Sequence, residues 1–427
     1  MIERASILST GDEITTGKVV DTNANYIADK LVEAGVDLVS VLTVGDVAER
    51  IIWAWQQAIA HADVIISTGG IGPTADDLTT ELVAKVAGVE LFFSEEVAER
   101  IRRVFASLNR PMPENNLKQA RFPVGSAIIP NHLGTAPGYR LDLDTPHSRK
   151  HLIVLPGVPR EMKPMMEETV LPWLREMRGG GDVFLTRTFQ TFGISESGLD
   201  ELVAGAVSEE EGRLAFRANF PQISMRVTVH GKAHQVETKL EELSQRIRAR
   251  IGSFVYGEGD VTMEEVVGRL LKEKGKTLGL AEACSGGLVS HRLTNVPGSS
   301  AYFQGTVVAY ADTAKTALLG VKPETLRQHG AVSEEAVREM AVGVRERLGA
   351  DIGVAVTGIA GPDGGTPDKP VGTACLALAM DGTVVSRRYQ LWGNREWIKT
   401  LVSQLVLDWV RRALLGTTIA ESGFIRR

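Results

Sequence analysis

Cysteine is almost absent: Cys284 and Cys375 are the only two in 427 residues. Two thiols cannot build a disulfide framework or a cysteine-only metal site, and they fit a reducing, cytoplasmic setting. No apolar run reaches the roughly 18 residues that a membrane-spanning helix needs. The opening stretch MIERASILSTGDE brings in charge early and has no apolar h-region, so no signal peptide is expected. A basic excess is lacking too. The net charge of −6 argues against a generic nucleic-acid binder, and nucleic acid is not expected among the partners. Low-complexity sequence is limited to Gly179-Gly180-Gly181 and Glu209-Glu210-Glu211. What remains is ordinary globular composition, 43% apolar and 23% charged. The length predicts two to four domains of roughly 100–200 residues each.

Strands and helices alternate from the start. Ser6–Ser9 reads as a strand that ends in the loop Thr10-Gly11-Asp12-Glu13. Asn23–Ala34 is helical, with Ile27 and Leu31 on one face, and Gly35 stops it. A strand over Val36–Val44, a helix over Val47–Ala60 and a short buried strand, Val64-Ile65-Ile66, follow. This alternation predicts a doubly wound α/β domain over residues 1–170, with a parallel sheet covered on both faces. Ligands in such folds bind beyond the carboxyl ends of the strands. Three loops converge there: Gly11-Asp12-Glu13, Gly45-Asp46, and Ser67–Asp77. The last places Gly69, Gly70 and Gly72 between a strand and a helix expected near Ala75, which suits a phosphate. It is not a P-loop or a dinucleotide fingerprint, because neither spacing is present. Asp76 and Asp77, with Glu13, are candidate ligands for a divalent cation that bridges phosphates. Thr74-x-x-Asp77 also reads as a capping box. Asp46 and Thr74 join the glycines as candidate substrate contacts. His147 and His151 do not share a helical face, so no metal pair is expected.

Gly179-Gly180-Gly181 marks a linker into a smaller α+β domain over 171–258. Ile223, Met225, Val227 and Val229 alternate with polar residues, as a half-buried strand does. Val236, Leu240, Leu243, Ile247 and Ile251 form an amphipathic helical stripe. No G-x-x-G loop is present, so a scaffold or dimer contact is expected rather than RNA binding.

Residues 259–427 read as an α/β sandwich. The stretch LGLAEACSGGL (278–288) places Ser285 where a strand turns into a helix. A hydroxyl beside the amides of Gly286 and Gly287 suits acyl transfer. The plainer reading makes Ser285 a helix N-cap. Cys284 is a rival nucleophile, or a small buried hydrophobe. Tyr310 and Thr357 end two further strands, and Lys315 lies one helical turn past Tyr310. A serine needs a base to attack an amide, no histidine is placed to serve, and a desolvated Lys315 could. Otherwise Lys315 is a solvated helix lysine and Tyr310 a core residue.

Several long stretches resemble one family in order. TGDEI, TNANYIADKL, TGGIGPTADDLT, GTAPGY and LPGVPREM are similar to the molybdopterin-binding fold of CinA proteins. AEACSGGL, GSSAYFQGTVVAYADTAKTALLGV, HGAVSEEA, VTGIAGPDGG and KPVGT resemble the CinA C-terminal domain, and the family's middle segment is described as KH-like. For the first domain the resemblance implies metal-dependent ADP-ribose hydrolysis to AMP and ribose 5-phosphate, using Mg, Mn or Co, with potassium a further candidate. No Nudix box is present. For the last domain it implies a cofactor-free deamidase that converts nicotinamide mononucleotide (NMN) to nicotinate mononucleotide and ammonia. The family's nucleophile, lysine and tyrosine then fall on Ser285, Lys315 and Tyr310, with Thr357 and Arg395 in the site or on the substrate phosphate; amides of the glycine loop at Gly361 would also hold that phosphate. The family often has S-C-T-G-G where this chain has A-C-S-G-G, so Ala283 stands in place of a serine. A homodimer is expected. Two other readings are a molybdopterin adenylyltransferase-like N-terminal domain and a competence-linked interaction protein.

Overall fold

The computed structural model describes residues 2–146, 148–178 and 183–418. His147 and the Gly179–Gly181 linker lie outside the described residues. The fold divides into two compact units, Met1–Leu185 with His230–Glu237, and Thr186–Val229 with Thr238–Arg427.

In the first unit the apolar strands assemble a six-stranded sheet. Its order is Asp37–Val44, Arg4–Thr10, Val64–Thr68, Arg149–Leu155, Gly138–Asp144, Ala127–Ile129. The first four strands are parallel, and the last two add an antiparallel edge. Both faces are covered, as residues buried on both sides require. Ile51 and Trp55 of the helix Ala48–His61 pack on one face with Leu8 and Ile65. Ile27 and Leu31 of the helix Thr22–Glu33 pack on the other with Ile7 and Ile66. One expectation fails: the helix after the glycine loop starts at Thr79, not near Ala75. The Asp77 carboxylate turns back onto the Thr74 amide at 2.8 Å and onto the Thr74 hydroxyl, so the chain makes a closed turn first.

The second unit carries a five-stranded sheet and most of a four-stranded one. A four-stranded sheet has the order Arg213–Asn219, Gln222–Gly231, Val183–Thr191, Val255–Glu258. Of the alternating residues, Met225, Val227 and Val229 are buried and Ile223 is half-buried, and the helix Ala233–Ile251 buries Val236, Leu240, Leu243, Ile247 and Ile251. A five-stranded sheet has the order Phe303–Val308, Leu278–Glu282, Ile352–Gly358, Thr373–Met380, Thr383–Gln390. Its first three strands are parallel and the rest antiparallel. One core holds Leu280, Val354 and residues of the final helix Arg395–Leu415; another, on the other face, holds Ala281, Ala355 and the helix Glu334–Leu348. Among the described residues no helix is long and apolar enough to cross a membrane.

Candidate functional site

At the carboxyl end of the parallel strands of the first unit, the expected loops meet. A left-handed backbone at Gly69 and Gly70 (φ 98° and 68°) folds that loop against its neighbours. A Cβ at Gly69 would run into the Thr10 carbonyl, and one at Gly70 into the Thr79 hydroxyl. Asn23 ties in the fourth strand's loop through a 2.7 Å hydrogen bond from its Nδ2 to the Gly157 carbonyl.

Asp12 and Asp46 lock two of these loops reciprocally. The Asp12 amide donates to the Asp46 carboxylate at 3.0 Å, and the Asp46 amide donates to Asp12 Oδ1 at 3.2 Å. Burial, together with the fields of Asp12, Glu13 and Asp76, pushes the Asp46 carboxyl above the usual range. This acidic cluster, called the crater below, was only partly foreseen, since Asp12 was not singled out; its carboxylates are exposed or half-buried at the loop surface. Asp77 does not stand free as a metal ligand, because Thr74 holds its carboxylate. The capping reading does not hold either, because the helix starts at Thr79 after Leu78 with no side-chain cap, and the Thr74–Asp77 bonds close a turn before it. Gly72 lies against the same carboxylate, and Thr74 spends its amide and hydroxyl on it rather than on a ligand. Among the described residues no three acidic, histidine or cysteine side chains converge as a preformed metal cluster. A magnesium-like ion usually takes one or two protein carboxylates and completes its shell with water and substrate phosphates. The mutually repelling carboxylates around Asp46 fit that mode, and they do not fit an all-protein cage.

The second unit places its polar residues around a pocket of about 200 Å³. Lys315 enters from the helix Asp312–Leu319 with its side chain almost fully buried. Its Nζ donates to the Tyr310 carbonyl at 3.1 Å and to Asp312 Oδ1 at 3.0 Å. Asp312 was missed in the sequence, although Asp312-x-x-Lys315 has the spacing of an intrahelical ion pair. Arg395, the first residue of the final helix, donates to the Gly361 carbonyl at 2.7 Å and to the Tyr310 phenol at 3.2 Å. Thr357 donates its hydroxyl to the Ala331 carbonyl at 3.0 Å. Lys315, Tyr310, Thr357 and Arg395 are thus brought together, with Ala283 and Cys284 also in the pocket wall. Gly361 reaches the site through its carbonyl.

Ser285 is not in that wall. It is fully buried, and its hydroxyl donates to Glu282 Oε2 at 2.7 Å. Glu282 ends its strand and is itself buried. Its carboxylate also accepts the amides of Gly287 (3.0 Å), Val289 (3.1 Å) and Ser290 (2.9 Å). The Gly286 amide donates to the Ala283 carbonyl at 3.1 Å. The amides expected to hold an oxyanion are therefore already bonded inside the loop, which corrects the roles of Ser285, Gly286 and Gly287. Ser285 is not the N-cap either: the helix Leu288–Thr294 starts after Gly287 with no side-chain cap. Glu282 caps it from across the turn, the placement that favours a carboxylate near free helix amides. The signal was a lone acidic residue closing an apolar strand just before a glycine turn. Cys284 is buried, and burial pushes its thiol up to about 12, away from nucleophilic use.

Comparisons with known proteins cover the whole arrangement. The "CinA C-terminal domain" model matches residues 260–414, the "Damage-inducible protein CinA KH domain" residues 186–257, and the "Probable molybdopterin binding domain" residues 6–176. A CinA-like protein of Geotalea uraniireducens is 42% identical over 98% of this chain and 99% of its own length. A CinA-like protein of Citrifermentans bemidjiense is 42% identical over 96% of this chain and 98% of its own. The Competence-Damaged Protein (CinA) superfamily protein from Klebsiella pneumoniae 700603 is 33% identical, with TM-score 0.35, over 36% of this chain and 99% of that one. With identity at this level along nearly its full length, and with α/β, KH-like and CinA C-terminal domains in the family's order, the chain belongs to the CinA family.

Proposed function

We propose that this chain handles phosphorylated nucleotides at two places: it hydrolyses ADP-ribose at the N-terminal crater and binds NMN in the C-terminal pocket. The observation that carries the reading is the convergence of Arg395, Lys315, Tyr310 and Thr357, from separate elements, on one pocket. A planar guanidinium suits a phosphate, a buried lysine adds positive charge, and two hydroxyl groups suit the sugar or the carboxamide. Deamidation is the reaction the family resemblance implies. It calls for a nucleophile, and Ser285 does not supply one while Glu282 holds it.

At the crater, the loop of Gly69 and Gly70 supports a pyrophosphate, and Asp46 and Asp12 would share a divalent ion with it. Such an ion would neutralise phosphate charge as water splits the anhydride into AMP and ribose 5-phosphate. Asp12 and Asp46 keep the two loops at a fixed separation.

The test is direct. The full chain should release AMP from ADP-ribose, and a chelator should stop it. Chelator-resistant release would remove the metal. Adenylyl transfer from ATP to a pterin, with ADP-ribose untouched, would favour the adenylyltransferase reading. For the pocket, calorimetry should show NMN binding that Arg395→Ala weakens by roughly tenfold or more, the equivalent of about 1.4 kcal/mol. Equal affinity in the variant would move the phosphate elsewhere.

A further inference from the structure

The pocket has a binding apparatus, and among the described residues its wall contains no serine. Its wall contains one aliphatic hydroxyl among the described residues, that of Thr357, and that hydroxyl is donated to the Ala331 carbonyl. The Tyr310 phenol lies beside the Arg395 guanidinium. The Cys284 thiol is buried and kept protonated by its surroundings. Ser285 points away into the Glu282 cluster.

Ala283 lines the pocket together with Lys315 and Asp312. Its backbone is fixed, since the Ala283 amide donates to the Val356 carbonyl at 3.0 Å and its carbonyl accepts the Gly286 amide. A side chain at position 283 therefore belongs to the same wall as the buried lysine and its aspartate partner. A reacting group held in place this way gains much of its rate from position alone.

We propose that the C-terminal pocket is a binding site that does not turn its nucleotide over by acyl transfer, and that Ala283 is the residue that decides this. The inference rests on reading the pocket as an NMN site. The wild-type pocket holds the mononucleotide and leaves its carboxamide intact. A hydroxyl at position 283 would change that. Its oxygen would bond to the carboxamide carbon, its proton would pass through the Lys315–Asp312 pair to the departing nitrogen, and the C–N bond would break to release ammonia. Water would then hydrolyse the ester, giving nicotinate mononucleotide and restoring the hydroxyl.

The experiment uses the full chain with NMN as the probe. Binding is read by calorimetry, ammonia by a coupled assay, and any ester by mass spectrometry after acid quench. Wild type is expected to bind NMN and release no ammonia above the uncatalysed rate. Ala283→Ser is expected to bind with similar affinity and to release ammonia, with the adduct mapping to the peptide that contains position 283. Ammonia release by wild type overturns the proposal. Binding without turnover in Ala283→Ser overturns the role of position 283. Failure of both proteins to bind NMN overturns the reading of the pocket, and the proposal with it; that outcome is distinguished by the calorimetry alone. Circular dichroism and the thermal transition of Ala283→Ser show whether the variant is folded.

Discussion

Ser285→Ala separates a structural serine from a catalytic one. The hydroxyl is fully buried and 2.7 Å from the Glu282 carboxylate. A hydrogen bond to a charged group contributes about 1.5–3 kcal/mol. The substitution removes only an oxygen, so almost no cavity is added. Glu282 keeps the amides of Gly287, Val289 and Ser290, so its carboxylate is not stranded. The expected loss therefore lies near the lower end of the range, about 1.5–2 kcal/mol. Differential scanning calorimetry of the full chain should show one transition moved down, by roughly 2–4 °C per kcal/mol for a domain of 150–250 residues. Hydrogen exchange gives a local check. The Gly287, Val289 and Ser290 amides should stay protected in Ser285→Ala and lose protection in Glu282→Ala. NMN affinity should be unchanged in Ser285→Ala. An unshifted transition, combined with the loss of an ammonia-releasing activity present in wild type, would refute this reasoning and return Ser285 to the role of nucleophile.

Asp46→Asn should raise the stability of the N-terminal unit at neutral pH while abolishing AMP release. The folded state raises the Asp46 pKa from 3.8, so it holds that proton more tightly than the unfolded chain does, and this contribution to stability is lost as pH rises through the shifted value. The asparagine removes the cost at pH 7, and the gain should vanish below the ordinary aspartate range; a variant less stable than wild type at pH 7 in thermal melts would contradict it. Cys284 and Cys375 are buried, with burial pushing their thiols up to about 12 and about 11. Native protein at pH 8 should resist iodoacetamide and gain two adducts by intact mass only after denaturation, and fast native labelling of Cys284 would refute its burial.

Sequence alone determined the elements and their faces, because those depend on local periodicity. The alternation at Met225, Val227 and Val229, the stripe from Val236 to Ile251, and the pair Ile27 and Leu31 all bury the side that their spacing marks. It also placed Tyr310, Lys315 and Thr357 near strand ends and helix starts, where an α/β sheet collects its ligands, while Arg395 came only through the family resemblance. Where a side chain points at such an end depends on what competes for it, and that is a tertiary matter. Ser285 and Ala283 are two residues apart in one turn, yet Ala283 lines the pocket while Ser285 is drawn onto Glu282. A carboxylate out of water gathers nearby donors, and here it takes the Ser285 hydroxyl and the Gly287 amide, which the sequence had left free for chemistry, together with the amides of Val289 and Ser290. The same competition holds Asp77 on Thr74 and delays a helix to Thr79, while Asp12 and Asp46, 34 residues apart, become partners only because parallel strands bring their loops side by side.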